Sequence, residues 1–326
     1  MNVLLVGLGR WGEKHLRVLT ALGMTVWVAD VSAARLAFAR AQGIDGERAV
    51  SDYRRVLDVV DAVDIVTPAD THVEIARESL AAGRHCFIEK PLAPSVHACR
   101  RLVEAADAAG RVVQVGHIFR FHPVTTTLRR ALRERALGQP RYATGRFAGF
   151  KRPRADVGVT LTDAIHFFDL FGYLLGREAT AVSAVQRDCL GRGLDDMSVA
   201  TVHYGEIPVV VEANYFAPDT QRECVLFTER GALVGDYVAS TVWLHAGQHR
   251  QRDGVWEAVD GGKEELSVGR DEPLRAELAA FLDACAGRAT APVDARAGLR
   301  AVEIAEAAAH AARLGRVVSL AEVRTG

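Results

Sequence analysis

The first 118 residues alternate short, almost continuously apolar runs with longer segments of helical periodicity. Apolar runs of this kind are typical of strands that are covered on both faces. Alternation of strands and helices predicts a parallel, doubly wound sheet, so residues 1–118 are expected to form an α/β domain. The predicted strands are 3–7, 25–30, 62–68, 85–91 and 112–117, and the predicted helices are 11–22, 32–42, 70–82 and 95–109. Asp70 and Ser95 are expected to be N-caps.

Beyond a predicted helix at 123–137, segments with period-2 alternation replace this pattern. Such alternation indicates a mostly antiparallel sheet with one covered face. Residues 119–326 are therefore expected to form a second domain, and whether its last helices return to the first domain stays open. The predicted strands are 141–150, 198–204, 208–216, 223–229 and 240–245, and the last helices are 273–286 and 295–314.

Composition argues against several classes of function. The chain of 326 residues is too long for one ordinary core, which agrees with two domains. Its formal net charge is −1 and it has no long block of like charge, so neither nucleic acid nor a membrane surface is an expected partner. The five cysteines form no C-x-x-C pair, and we expect free thiols, a cytoplasmic protein and no metal site. No apolar run approaches the ~20 residues of a membrane span.

The segment VLLVGLGRWG has the G-x-G-x-x-G spacing at Gly7, Gly9 and Gly12, directly after the first strand. Gly7 permits a tight turn, and Gly9 allows the backbone to approach a pyrophosphate closely. Gly12 allows the helix to pack closely on the strand. The next helix, with Arg10 and Trp11 in its first turn, offers unpaired N–H groups and partial positive charge to phosphates. The pattern predicts a dinucleotide site.

Asp30 ends the second strand, where a carboxylate accepts hydrogen bonds from ribose hydroxyls and repels a 2′-phosphate. The sequence therefore favours NAD over NADP as the cofactor. Arg35 follows closely enough to leave NADP open, because a nearby arginine accommodates the additional phosphate.

The segment TLTDAIHFFDLFGYLL, which begins at Thr160, is almost continuously apolar and yet contains two aspartates and a histidine. At about 100° per residue, Asp163, His166, Asp169 and Tyr173 fall on one arc of a helix. A buried helix with one polar stripe is typical of the wall of a site. Thr160 and Asp163 also resemble a capping box, so Asp163 is either a site residue or part of a helix cap.

The segment TPADTHVEIARESLAAGRHCFIEKPLA resembles the signature of the Gfo/Idh/MocA oxidoreductases, the family of glucose–fructose oxidoreductase and inositol dehydrogenase. The resemblance extends over nearly the whole chain and includes the glycine loop, Glu89-Lys90-Pro91, Arg120-Phe121, the His166 helix and Glu277…Phe281. It implies a Rossmann domain and an α/β domain with a large open sheet, through which the chain would form a homodimer or homotetramer. It also implies NAD(P)-dependent oxidation or reduction of a hydroxyl of a sugar, cyclitol, aminoglycoside or nucleotide sugar.

Lys90 matches the lysine that, in this family, lies beside the nicotinamide and the substrate hydroxyl. Its position supports this role, because it follows a buried strand at the carboxyl edge of the sheet, where open α/β sheets bind ligands. The resemblance also places Glu89 among the cofactor-binding residues. Pro68 and His72 follow an earlier strand and are expected to border the nicotinamide, although helix packing is an equal alternative for His72.

His166 matches the histidine that family members use as acid and base on the substrate hydroxyl. A pKa near ~6.5 for free histidine suits proton transfer at neutral pH. The family aspartate stands four residues before this histidine, where the chain has Thr162. Asp163 stands three before it and is expected to orient His166, because both spacings are neighbours on a helix.

By the same resemblance, the loops 117–123 and 150–154 border the substrate. The residues expected to contact the substrate are Lys90, His117, Arg120, Lys151, Arg152, Thr162, Asp163 and His166. Lys151, Arg152 and Arg154 are either partners of a substrate phosphate or carboxylate, or solvated loop charges. Two other functions on this scaffold stay open, a non-catalytic dinucleotide-sensing regulator and an NAD-dependent glycosidase with transient redox chemistry.

Overall fold

The computed structural model describes residues 1–134 and 137–325. The chain divides into two compact units. The first comprises Met1–Ile118 and Glu272–Val302, and the second comprises Phe119–Asp271 and the segment from Glu303 onward. The segment Glu272–Val302 was expected to belong to the second domain, 119–326, but it is part of the first unit.

The first unit contains a six-stranded sheet in which every described pair of neighbours is parallel. Its strands are β1 (Asn2–Val6), β2 (Thr25–Ala29), β3 (Ala49–Val50), β4 (Ala62–Ile65), β5 (His85–Glu89) and β6 (Val113–Gly116). The order is β3-β2-β1-β4-β5-β6, so the winding reverses between β1 and β4. The predicted parallel, doubly wound sheet is confirmed. Ligands of such sheets bind beyond the carboxyl ends of the strands at this reversal.

Four helices connect these strands: α1 (Arg10–Ala21), α2 (Ala33–Ala41), α3 (His72–Ala81) and α4 (Val96–Ala109). Ser95 caps α4 as predicted, because its hydroxyl accepts a hydrogen bond from the N–H of Ala98 at 3.3 Å. The expectation that Asp70 caps α3 is wrong. Asp70 lies inside a 3-10 turn, Ala69–Thr71, and α3 begins only after it.

The second unit contains a nine-stranded sheet in the order β14-β13-β12-β11-β7-β10-β9-β8-β15. Its strands are β7 (Pro140–Ala148), β8 (Ala181–Arg187), β9 (Met197–Tyr204), β10 (Ile207–Asn214), β11 (Gln221–Thr228), β12 (Gly231–Asp236), β13 (Thr241–Arg252), β14 (Val255–Leu266) and β15 (Val318–Ser319). Only β7 and β10 pair in parallel in the described sheet, so a mostly antiparallel sheet is confirmed. The sequence pattern missed β8, β12, β14 and β15. β14 is almost entirely exposed and contains two glycines, so it lacks an apolar alternation.

Two helices of the second unit follow α4 in the chain, α5 (Pro123–Glu134) and α6 (Ile165–Leu175). The predicted helix 123–137 matches α5 as far as Glu134, and its next two positions lie outside the described residues. Treating the segment 162–175 as one α-helix is wrong. Its beginning belongs to a π-helical turn, Thr160–Ala164, in which hydrogen bonds span five residues.

The last helices are α7 (Pro273–Cys285), α8 (Ala295–Leu314) and α9 (Leu320–Thr325). α7 completes the core of the first unit, where Leu274, Leu278 and Phe281 pack with the aliphatic residues of β1 and β2. The Phe281 ring meets the Phe87 ring edge-to-face at 5.7 Å. Among the described helices, none combines the length and the apolar character that crossing a membrane requires.

Candidate active site

The turn after β1 requires glycine at two of the three predicted positions. Gly7 has a φ of +92°, and a Cβ there would lie 2.6 Å from the carbonyl oxygen of Val66. A Cβ at Gly12 would collide with the carbonyl oxygen of Gly7. Both glycines therefore allow α1 to start directly against the carboxyl ends of β1 and β4.

The start of α1 suits an anionic group. A Cβ at Gly9 would have no atom within 4 Å, and no side chain caps the helix at this residue. The first-turn N–H groups therefore keep their capacity to bind an anion, and the helix dipole favours negative charge there. Arg10 is exposed and Trp11 is half-buried in this turn. These features fit the pyrophosphate of a dinucleotide.

Asp30 closes the glycine loop from the end of β2. Its carboxylate accepts hydrogen bonds from the N–H of Leu8 at 2.7 Å and of Ser32 at 2.8 Å. Arg35, the residue that left NADP open, donates to the carbonyl of Leu8 and pairs with Glu13. The guanidinium is therefore already engaged by a carboxylate of α1, which favours a dinucleotide without a 2′-phosphate.

Lys90 follows β5 and is half-buried, and the Lys90–Pro91 peptide bond is cis. The N–H of Lys90 donates to Oε2 of Glu89 at 3.1 Å. Pro68 is exposed beyond β4 and precedes the turn that leads into α3. His72 is buried, with Nδ1 at 2.9 Å from the carbonyl of Pro91 and Nε2 at 3.0 Å from the carbonyl of Thr67. These contacts support the packing alternative for His72.

Two residues that sequence reasoning missed join Glu89 in a buried cluster. His15 of α1 and Asp64 of β4 are both 0% exposed, and the Asp64 Oδ2 lies 2.8 Å from the His15 Nδ1. The His15 Nε2 lies 3.3 Å from Glu89 Oε1, which also accepts a hydrogen bond from the indole N–H of Trp11 at 2.5 Å. The signal in the sequence was Asp64 itself, a charge inside a strand that is buried at every position.

The electrostatics of this cluster favour a charged imidazole. Burial lowers the pKa of His15, but the Asp64 and Glu89 carboxylates outweigh burial and raise the pKa to about 10. Burial acts to raise the pKa of Glu89, but His15, Lys90 and Trp11 together hold it below its ordinary value. Burial raises the pKa of Asp64, and the facing His15 opposes this effect. The directions at His15 and Glu89 favour an imidazolium that faces an ionised Glu89.

His166 lies in the second unit within a stack of aromatic rings. It is 6% exposed, and its ring stacks on Phe119 at 4.8 Å and on Phe147 at 5.3 Å. Tyr237 extends the stack on the far side of Phe119 at 4.5 Å. The Phe119 and Phe147 rings also contact each other at 5.9 Å, so the three rings form one packed cluster that orients the imidazole.

Asp163 is buried in the π-helical turn and forms an ion pair with Lys151, whose Nζ lies 2.7 Å from Oδ2. The capping-box alternative for Asp163 is wrong, because the turn has no side-chain cap. Asp195 instead accepts hydrogen bonds from the N–H and hydroxyl of Thr160, at 2.8 and 2.6 Å. The Thr162 hydroxyl donates to the carbonyl of Gly158 at 2.8 Å. Such side-chain bonds compete with regular helical hydrogen bonding.

The other polar residues of this segment also have partners. Arg120, expected at the substrate, donates to Asp169, with its Nε 2.7 Å from Oδ2. Arg129 donates to the Tyr173 hydroxyl at 2.6 Å. The two aspartates of the polar stripe thus form ion pairs with cations from elsewhere in the second unit.

We expect Asp169→Ala to lower the free energy of unfolding by about 3–5 kcal/mol, because it removes the carboxylate that neutralises the largely buried guanidinium of Arg120. Only 13% of the Arg120 side chain and 2% of the Asp169 side chain are exposed. Urea unfolding measures the change. Asp283→Ala is the matched control, since it breaks an ion pair with Arg288 in which the side chains are 48% and 65% exposed. Equal effects of the two substitutions would contradict the expectation.

The basic run near residue 150 is largely paired. Arg154 forms an ion pair with Asp156, and Arg152 is exposed. Sequence reasoning missed Arg222, which lies 3.4 Å above the Phe147 ring and donates to the carbonyl of Ala148 at 2.6 Å. Within the described part of the chain, no carboxylate lies within ion-pair distance of Arg222. His117 is buried directly after β6.

The described residues include no group of three histidine, cysteine, aspartate or glutamate side chains that could hold a metal ion.

Comparison with known proteins places both halves of the chain in one family. Residues 1–117 match the GFO_IDH_MocA family described as "Oxidoreductase family, NAD-binding Rossmann fold". Residues 129–320 match its companion, "Oxidoreductase family, C-terminal alpha/beta domain".

Two curated relatives and one solved structure resemble nearly the full length. A UDP-N-acetylglucosamine 3-dehydrogenase of Acidithiobacillus ferrooxidans is 30% identical over 94% of this chain and 95% of its own. Inositol 2-dehydrogenase 2 of Saccharopolyspora erythraea is also 30% identical, and the match covers 97% of this chain and 94% of that protein. A solved structure of the Acidithiobacillus ferrooxidans enzyme superposes with a TM-score of 0.84 at 27% identity, covering 96% of this chain and 98% of that one.

Proposed function

The chain belongs to the Gfo/Idh/MocA oxidoreductase family and is an NAD-binding oxidoreductase, and from this we propose that it oxidises or reduces a secondary hydroxyl of a polyhydroxylated substrate. The substrate class comprises sugars, cyclitols, aminoglycosides and nucleotide sugars. Its relatives are named for UDP-N-acetylglucosamine and inositol, which are both members of that class. The observation that carries the proposal is the buried imidazole of His166, which packs against the rings of Phe119 and Phe147 on an otherwise apolar helix.

NAD, when bound, would supply the acceptor for the hydride and its two electrons, which leave the carbon that bears the hydroxyl. Gly7, Gly9 and Gly12 give its pyrophosphate access to the start of α1, where Arg10 and Trp11 lie, and Asp30 receives the ribose hydroxyls.

Lys90 is proposed to donate a hydrogen bond to the substrate hydroxyl oxygen and to stabilise the negative charge that develops on it. His166 is proposed to accept the hydroxyl proton and to release it to solvent after turnover. Lys151 and Asp163 are proposed as a polar pair that receives other substrate hydroxyls, because the Lys151 ammonium and the His166 ring both lie against Phe147.

The charges near Phe147 restrict how an anionic substrate could bind. Lys151 and Arg154 already pair with carboxylates, so Arg152 and Arg222 are the cations proposed to meet a phosphate. A neutral sugar or cyclitol requires neither of them. Screening inositols, free sugars, aminoglycosides and UDP- or dTDP-sugars with NAD, while following nicotinamide absorbance, tests the proposal directly. Tightly bound cofactor that never exchanges, without net redox turnover on any of these compounds, would overturn it.

We further propose a homodimer or homotetramer formed through the nine-stranded sheet. Exposed apolar side chains on this sheet include Val185, Val199, Phe227 and Trp256. Isolated surface residues need no partner, but a shared sheet face would cover them together. Sedimentation of the purified chain tests this assembly, and a monomer at micromolar concentration would contradict it.

We expect NADH to bind at least about tenfold more tightly than NADPH, because the Asp30 carboxylate would repel a 2′-phosphate. Asp30→Asn should reduce the preference for NADH over NADPH, because it removes the negative charge. The asparagine side chain still has one oxygen that can accept a hydrogen bond from the N–H of Leu8 or Ser32. Fluorescence titration with both reduced cofactors measures the ratio. Asp52→Asn is the control, because Asp52 also accepts a backbone N–H after a turn but lies outside the glycine loop. Equal affinity of the unaltered protein for the two cofactors would contradict the expectation.

A further inference from the structure

The buried cluster of His15, Asp64 and Glu89 connects three elements of the first unit that meet at the reversal of strand order. His15 belongs to α1, Asp64 to β4 and Glu89 to the end of β5. The His15 ring presents Nδ1 to Asp64 at 2.8 Å and Nε2 to Glu89 at 3.3 Å. Because both ring nitrogens face carboxylates, both need a proton to make these contacts favourable.

Glu89 in turn connects His15 to the two groups at the cofactor side of the sheet. Its Oε1 accepts the Trp11 indole N–H at 2.5 Å, and its Oε2 accepts the Lys90 N–H at 3.1 Å. A Cβ at Gly116 would lie 3.0 Å from the Glu89 carboxylate, so the glycine at the end of β6 leaves the space that this carboxylate occupies. The carboxylate is therefore oriented by α1 and by the main chain of Lys90, against the end of β6.

We propose that His15 is a positioning residue, an imidazolium that holds the Glu89 carboxylate ionised and in place, so that Glu89 fixes Trp11 and the main chain of Lys90. This inference rests on the proposed function in one respect, which is that Lys90 contacts the substrate.

The charges facing each group make the arrangement self-consistent. Asp64 and Glu89 face His15, while His15 and Lys90 are the charged groups that lower the pKa of Glu89. Glu89 also acts to raise the pKa of buried His72, but burial outweighs it. Burial raises the pKa of Asp64, and His15 is the charged group that opposes this effect. Without His15, burial would favour the neutral acid at Glu89.

His15→Gln tests the proposal, because glutamine keeps a hydrogen-bond donor but carries no charge. The first measurement is tryptophan fluorescence against pH, without substrate, in which the Trp11 contribution is obtained by difference from Trp11→Phe. We expect no Trp11 transition in the unaltered protein between about pH 5 and 9, since Glu89 stays ionised there. His15→Gln should gain one transition in this range, as Glu89 takes up a proton. The double variant His15→Gln/Glu89→Gln should lose it again.

The second measurement is kcat/KM against pH with the substrate found in the screen. His15→Gln should stay within a few-fold of the unaltered enzyme above the new transition and fall about tenfold per pH unit below it, down to the level of Glu89→Gln. A merely structural role would lower kcat/KM equally at every pH and produce no Trp11 transition, which would overturn the inference. If His15→Gln fails to fold, Asp64→Asn replaces it, because it removes the other carboxylate that stabilises the imidazolium.

The two measurements separate this inference from the proposed function. A Trp11 transition in His15→Gln that disappears in the double variant supports the cluster even if no hydroxyl compound is turned over. An active dehydrogenase whose His15→Gln variant has no such transition overturns the inference and leaves the proposed function intact.

Discussion

Replacing His166 by phenylalanine is expected to lower turnover by about 10²–10⁴-fold, because the proposed base for the substrate hydroxyl is lost. Phenylalanine preserves a ring that packs against Phe119 and Phe147, so the aromatic cluster and the fold of α6 should persist. The affinity for NADH should therefore stay unchanged, which separates loss of chemistry from loss of structure. Turnover with the substrate from the screen and NADH titration are the two measurements.

Tyr173→Phe is the matched control on the same helix, because it removes a hydroxyl that accepts a hydrogen bond from Arg129 and has no proposed role in catalysis. Its turnover should match that of the unaltered enzyme. His166→Phe with full turnover would show that another group accepts the proton.

Lys90→Met is expected to lower kcat by about 10²–10³-fold, the usual effect of removing one donor aimed at developing negative charge. Methionine retains most of the length of the side chain and removes its ammonium group. The half-buried position of Lys90 after β5 and its backbone bond to Glu89 should persist in the variant, so NADH affinity should change by only a few-fold.

Lys263→Met serves as the control for Lys90→Met, because Lys263 is an exposed lysine of β14 above the Trp243 ring. It should keep the kcat of the unaltered enzyme. A Lys90→Met enzyme with undiminished kcat would remove Lys90 from the proposed mechanism.

Much of the first unit could be predicted from sequence, because single strands and single turns of this unit have recognisable sequence patterns. The apolar runs at β1, β4 and β5 are buried at nearly every position, and continuous burial leaves a pattern that one strand shows by itself. The glycine spacing also concerns a single turn, whose geometry excludes side chains at Gly7 and Gly12. The second unit was predicted less completely, since strands such as β14 have few buried residues to produce a pattern.

The candidate site was predicted in its residue types but not in its contacts. Lys90, His166 and Asp30 were identified because they belong to recognisable motifs. His15 was missed, since a histidine on an amphipathic helix gives no sign of the carboxylates that will face it. Placing Asp163 and His166 on one α-helix at 100° per residue was wrong, because Asp163 lies in a π-helical turn that precedes α6. Asp195 and Gly158 accept hydrogen bonds from the threonines of this turn, and such tertiary contacts leave no pattern in the sequence.

The sequence by itself determined the two sheets, the dinucleotide loop and the set of candidate catalytic residues, because periodicity and motif spacing act over a few neighbouring residues. Only the tertiary structure decided which charges meet. It paired Lys151 with Asp163, Arg120 with Asp169 and His15 with Asp64, residues that are 12, 49 and 49 positions apart in the chain. Burial makes such pairs obligatory, since an unpaired charge in the interior costs several kcal/mol, roughly 3–5, but it does not specify the partner. The partner is chosen by the packing of whole strands and helices.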